Sequence, residues 1–138
     1  MSWKLIFGLS VFGLAMAFAT IYVVPSSLEP WIWLGIFVVC AYVIAKRAPK
    51  RYFLHGLCVS LVNCVWITGA HYLLYDAYAV HHAEEIAMSA RMSNIGTPRT
   101  VMLVTGPIVG IVSGIVLGLL SWVMSKFVVS SHSDYAGW

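Results

Sequence analysis

Apolar residues run along this chain in four long blocks, and short polar breaks separate them. The first block, about 3–24, is apolar from Trp3 to Val24 except for Lys4 near its start and a few small hydroxyl residues. A helix of about 20 apolar residues crosses the hydrocarbon of a bilayer, so the block predicts a membrane span. Ala15, Ala17 and Ala19 mimic the small residues before a signal-peptidase site. The apolar run is too long for a leader core and continues through Val24, so a retained span is expected.

Pro25-Ser26-Ser27-Leu28-Glu29-Pro30 breaks the pattern. The serine pair is expected to cap the next helix, with Pro30 in its first turn. The second block, about 31–45, opens on Trp31 and Trp33, residues suited to the membrane interface. Lys46-Arg47-Ala48-Pro49-Lys50-Arg51 follows as a turn outside lipid. The third block covers about 52–75. No proline occurs between Tyr52 and Thr97, so the helix is expected to continue past the membrane as an amphipathic segment over 76–96. The fourth block covers about 100–129. It is read either as one helix kinked at Pro107 or as an interfacial turn before a helix that starts there.

The expected fold is therefore all-α, an integral membrane four-helix bundle formed by one transmembrane domain over 1–138. Composition agrees: 61% of residues are hydrophobic and 9% charged, against roughly 25% charged in soluble domains. The net charge of +3 is small, and no basic stripe interleaves with aromatics, so nucleic acid is not an expected partner. With four spans, Lys4, Lys46, Arg47, Lys50, Arg51 and Lys126 share one side and Arg91 and Arg99 the other. This asymmetry predicts a multi-pass protein of the inner (plasma) membrane with both termini cytoplasmic.

The fourth block carries the most specific motif. Gly106, Gly110, Gly114 and Gly118 recur every four residues among branched aliphatics. Interior glycines cost a water-exposed helix about 1 kcal/mol each, but in lipid they let another backbone approach closely. A glycine zipper is expected, within the monomer or between copies, with the balance toward a homo-oligomer or a membrane complex.

A second pattern is polar. At about 100° per residue, Asn63, Ile67, His71, Tyr75, Tyr78, His82 and Glu85 share one face. Polar groups inside a span line wet paths or bond neighbouring helices. Asn63, His71, Tyr75 and Tyr78 are thus the candidate path of a small channel or transporter. The third pattern is His81-His82-Ala83-Glu84-Glu85. His81, His82, Glu84 and Glu85 at these spacings resemble half a zinc or iron site. No second cluster completes it, since His55 and His132 fall on the other side. A solvated helix face is the plainer expectation, and no cofactor is expected.

Cys40, Cys58 and Cys64 lie in apolar segments without a CxxC pair, which fits small buried side chains. Ser113, Ser121 and Ser125 have no histidine or aspartate placed to activate them. Phosphate loops, nucleophile elbows, HExxH and paired intramembrane carboxylates are absent from the sequence. The leading expectation is a non-enzymatic membrane protein packed through its fourth helix. A channel or transporter comes second and a metal-dependent membrane enzyme third.

The last forty residues carry Thr97-Pro98-Arg99, Gly106-Pro107, the glycine series, Leu119-Leu120-Ser121-Trp122 and Ser125-Lys126. In these the chain resembles small four-span bacterial inner-membrane proteins of uncharacterised activity. The resemblance implies an architecture and no activity or binding residue.

Overall fold

A computed structural model describes residues 1–91, 94 and 96–128. Six helices follow in order: α1 Trp3–Tyr22, α2 Glu29–Arg47, α3 Tyr52–Leu73, α4 Tyr75–His81, α5 Ala83–Arg91 and α6 Pro98–Met124. Among the described residues there is no strand. α1, α2, α3 and α6 are each long and apolar enough to cross a membrane. α4 and α5 are short helices at the end of the bundle opposite the start of α1 and the end of α6, here called the loop end.

Local chemistry explains several boundaries. α2 stops at Ala48, which is extended (φ −75°, ψ 133°) because the residue before a proline is driven out of the helical region. Arg51 then takes a left-handed conformation (φ 58°) as the residue before α3. At the other end, Gly96 has φ 127°, a region open to glycine. Thr97 caps α6, its hydroxyl oxygen accepting from the Thr100 N–H at 3.3 Å, with Pro98 at the start. α6 passes through Pro107 without interruption, so this segment is one helix rather than a turn followed by a helix.

Two expectations on the loop side change. The segment after α3 is helical, but it is divided at Leu74 and at His82, so it runs as two short helices. The serine pair does not cap α2. The residue before α2 is Leu28, with no side-chain cap, and Ser26 bonds His82 instead. Pro30 does sit in the first turn of α2.

α3 is the central helix, packed against α1 on one side and α6 on the other, while α2 leans mainly on α6. The α3–α6 seam is built from two interlocking series of small residues. On α6 these are Gly106, Gly110, Gly114 and Gly118. On α3 they are Gly56, Ser60, Cys64 and Thr68, also four apart. The helices run antiparallel, so Gly106 meets Thr68, Gly110 meets Cys64, and Gly118 meets Phe53 and Gly56. Gly114 meets Leu57. The glycine face is therefore occupied within one chain. Two α3 side chains also reach α6 carbonyls: Ser60 Oγ donates to Gly110 O at 3.2 Å and Cys64 Sγ to Gly106 O at 3.0 Å.

The core sits toward the terminal end, where Ile6 and Leu9 meet Cys40, Ala41, Ile44, Ala48, Val59 and Leu117. His55 is fully buried there. Its Nδ1 donates to the Arg51 carbonyl at 3.0 Å, because a carbonyl only accepts. Its Nε2 is then free to accept the Ser2 N–H at 3.0 Å. This fixes the start of the chain against α3.

Candidate functional site

The walls of α2 decide where open space appears. Near the terminal end α2 presents Cys40, Ala41 and Ala45, and Ala48 follows it, all buried, and small side chains allow close approach. Toward the loop end it presents Trp33 and Phe37, whose rings meet edge to face with centroids 6.1 Å apart. These large side chains stand between α2 and the rest of the bundle, and a cavity of about 760 Å³ remains between α2, α3 and α6. It runs from the starts of α2 and α5 at the loop end down to Ser60 and Ser113 within the spans.

The wall of this cavity is mixed. Leu34, Phe37, Ile67, Val101 and Val109 make it largely apolar, and Asn63, Cys64, Thr68 and His71 of α3 line its other side. Of the candidate path, Asn63, His71 and Tyr78 lie on this wall. Tyr75 does not: its ring and that of Tyr72 lie under the Arg99 guanidinium, at 5.1 and 5.2 Å.

The polar face of α3 is partly spent on neighbouring helices. Thr20 Oγ1 donates to the Met16 carbonyl at 2.9 Å, so at 3.0 Å it accepts from His71 Nε2. Asn63 differs. It is 4% exposed, it crowds Gly13 of α1, and its Oδ1 is buried without a hydrogen-bond partner. A buried amide oxygen left unpaired costs about 1–3 kcal/mol.

A second cluster closes the loop end against α1. His82 is 1% exposed, and its Nε2 donates to the Thr20 carbonyl at 2.6 Å. Its Nδ1 shares a hydrogen bond with the Ser26 hydroxyl at 2.8 Å and lies 3.8 Å from Glu85. The Tyr78 ring is stacked between His71 and His82, each centroid 4.4 Å away. Burial pushes the Tyr78 phenol up to about 12, with the Glu85 and Glu29 carboxylates adding to the shift. The phenol therefore stays a neutral hydroxyl at any physiological pH.

Glu85 shows a balance of opposing effects. Partial burial disfavours its charged form, but the Ser26 hydroxyl, its own backbone N–H and His82 outweigh that and hold its carboxyl below the ordinary value of 4.5. A carboxyl lowered in the folded state contributes stability above its unfolded value and loses it as the pH falls through the folded one. Backbone amides of α5 are thus expected to lose exchange protection as the pH drops below 4.5. Glu85→Gln should flatten that dependence. Its side chain is 40% exposed, so salt should weaken the effect. An unchanged pH profile in the variant would mean that Glu85 does not help hold this cluster.

The weak metal candidates do not converge. Although adjacent, His81 is exposed and donates from Nδ1 to the Ala77 carbonyl at 3.1 Å, whereas His82 is turned inward with both ring nitrogens engaged. Glu84 is exposed. Among the described residues no three His, Cys, Asp or Glu side chains are grouped to hold a metal. His132 falls outside the described residues.

Several residues of the site were not singled out by pattern. Gly13, Thr20, Ser26 and Gly56 act only through contacts distant in sequence. Ser26 was read only as a cap for α2, and Gly56 belongs to a series of small residues on α3 too mixed to stand out.

These features define a class: a multi-pass all-α membrane protein with a largely apolar cavity between its spans. No protein-family model, curated protein or solved structure matches the chain.

Proposed function

We propose that the chain is a non-enzymatic membrane protein that admits a small molecule into the cavity between α2, α3 and α6, as a small channel or transporter does. The observation that carries this reading is the cavity itself, about 760 Å³ with Asn63 and His71 on its wall. That volume falls within the roughly 300–1,000 Å³ of small-molecule sites. The glycine zipper of α6 serves as the rigid back of the cavity, so any contact between copies uses another surface. The lysine and arginine asymmetry supports an inner-membrane topology with both termini cytoplasmic and the cavity mouth facing outward.

Cys64 lines the cavity and is a free thiol, so it reports on access. In bilayer nanodiscs, 2-(trimethylammonio)ethyl methanethiosulfonate is expected to modify Cys64 and spare Cys40, which is fully buried. Ser113→Trp, and separately Val109→Trp, should abolish the labelling by filling the space from α6. An unreactive Cys64, or one equally reactive in the filled variants, rules the reading out.

A further inference from the structure

We infer that the cavity takes a cationic amphiphile, with an ammonium group held at the mouth by Glu29 and Glu85 and an apolar body lying below it against Trp33, Phe37 and the α3–α6 seam. This inference rests on the cavity reading above and names the ligand class for the same space.

Charge carries the argument first. Glu29 and Glu85 both line the cavity at its loop end, and among the described residues no lysine or arginine lines it. An anionic ligand would meet two carboxylates without a cation to offset them, and like charges brought together in a partly desolvated site repel. Glu85 stays ionised near neutral pH because Ser26 and His82 stabilise its charged form against partial burial. His82 does not line the cavity. It is buried at 1% exposure and engaged with Thr20 and Ser26.

The wall below selects the rest of the molecule. Trp33 and Phe37 line the cavity with aromatic rings, which bury apolar surface and attract a cation that comes within about 6 Å of a ring face. Tyr78 offers no face, since His71 and His82 cover both. A purely apolar ligand would fill the lower part of the cavity but would cover the Glu29 and Glu85 carboxylates of the mouth without bringing a cation to either. A compact amine with a bulky hydrocarbon body satisfies the mouth and fills the apolar part together.

The test compares three molecules with one body and different heads: adamantan-1-amine, adamantan-1-ol and adamantane-1-carboxylate. The full chain is placed in phosphatidylcholine nanodiscs at pH 7.4, and protection of Cys64 from methyl methanethiosulfonate is measured against each. The amine should protect, the alcohol weakly and the carboxylate not at all. Glu85→Gln and Glu29→Gln should each raise the half-protecting amine concentration by about tenfold, the usual weight of a charge-assisted contact. Equal protection by the alcohol, or protection unchanged in both variants, overturns the ligand class while Cys64 labelling leaves the cavity reading standing. Binding of tritiated adamantan-1-amine, taken above that of empty nanodiscs, gives a second readout that does not need a reactive thiol. Absence of binding there, or binding equal in the two glutamine variants, also overturns the class.

Discussion

Gly56→Ala is expected to lower the melting temperature in detergent by on the order of 10 °C, although it adds only one methyl group. Two effects compete. Replacing an interior helical glycine by alanine favours the helix by about 1 kcal/mol. Against that, a Cβ at Gly56 would lie 2.7 Å from the Gly118 backbone N and Cα and 2.8 Å from the Leu117 carbonyl carbon. Those atoms belong to a helix axis and cannot turn aside as a side-chain tip can. Overpacking of a core costs about 1–3 kcal/mol where side chains can adjust, and here the two helices must separate along their length. Separation would also stretch the Ser60–Gly110 and Cys64–Gly106 hydrogen bonds of the same seam. The steric term therefore wins. Gly35 and Gly69 provide the control, because a Cβ at either meets nothing within 4 Å. Their alanine variants should melt with the wild type or slightly above it. A Gly56→Ala protein as stable as these would mean that α3 and α6 do not touch backbone to backbone.

The same seam shows how much of the molecule could be read from its residues. The spans were legible because a bilayer imposes length and apolarity on each helix separately, and no partner is needed to see either. The glycines of α6 were legible as a face for the same reason. What they meet was not. Ser60, Cys64 and Thr68 fill the role on α3 that glycine fills on α6, and a mixed series of small side chains does not stand out among Val59, Leu61 and Val65. The cavity was hidden for a different reason. It depends on how α2 packs against α6 and α3, with small buried residues at one end and Trp33 and Phe37 on the cavity wall at the other. The breaks at Leu74 and His82 carry no proline or glycine. They accompany the turning of His71 and His82 toward Thr20, a residue on α1 about fifty or more positions away. Ser26 fails as a cap for the same reason, since its hydroxyl is engaged by His82 rather than by the start of α2.

That convergence on Thr20 leads to the second large effect. His82→Ala should release α4 from α1 and loosen α5 behind it while leaving the four spans folded. The substitution removes a side chain buried at 1% exposure and strands the Thr20 carbonyl, which accepts from His82 Nε2 at 2.6 Å. It also uncovers one face of the Tyr78 ring and leaves Ser26 without its 2.8 Å partner. Lost packing and an unpaired carbonyl together are worth about 3 kcal/mol, which corresponds to about a hundredfold increase in local opening. Trypsin at the exposed Arg91 of α5 reads this directly, because cleavage of a transiently opened segment follows the population of its open form. Cleavage there should accelerate by about that factor. The thermal unfolding of the spans should change little, because the α3–α6 seam does not involve His82. Gln places an N–H donor near the position of Nε2, so His82→Gln should restore most of the protection through the Thr20 carbonyl. Asn, whose shorter amide falls closer to Nδ1, should restore less. If the alanine variant resists trypsin as the wild type does, the outer helices are held by contacts other than the histidine latch.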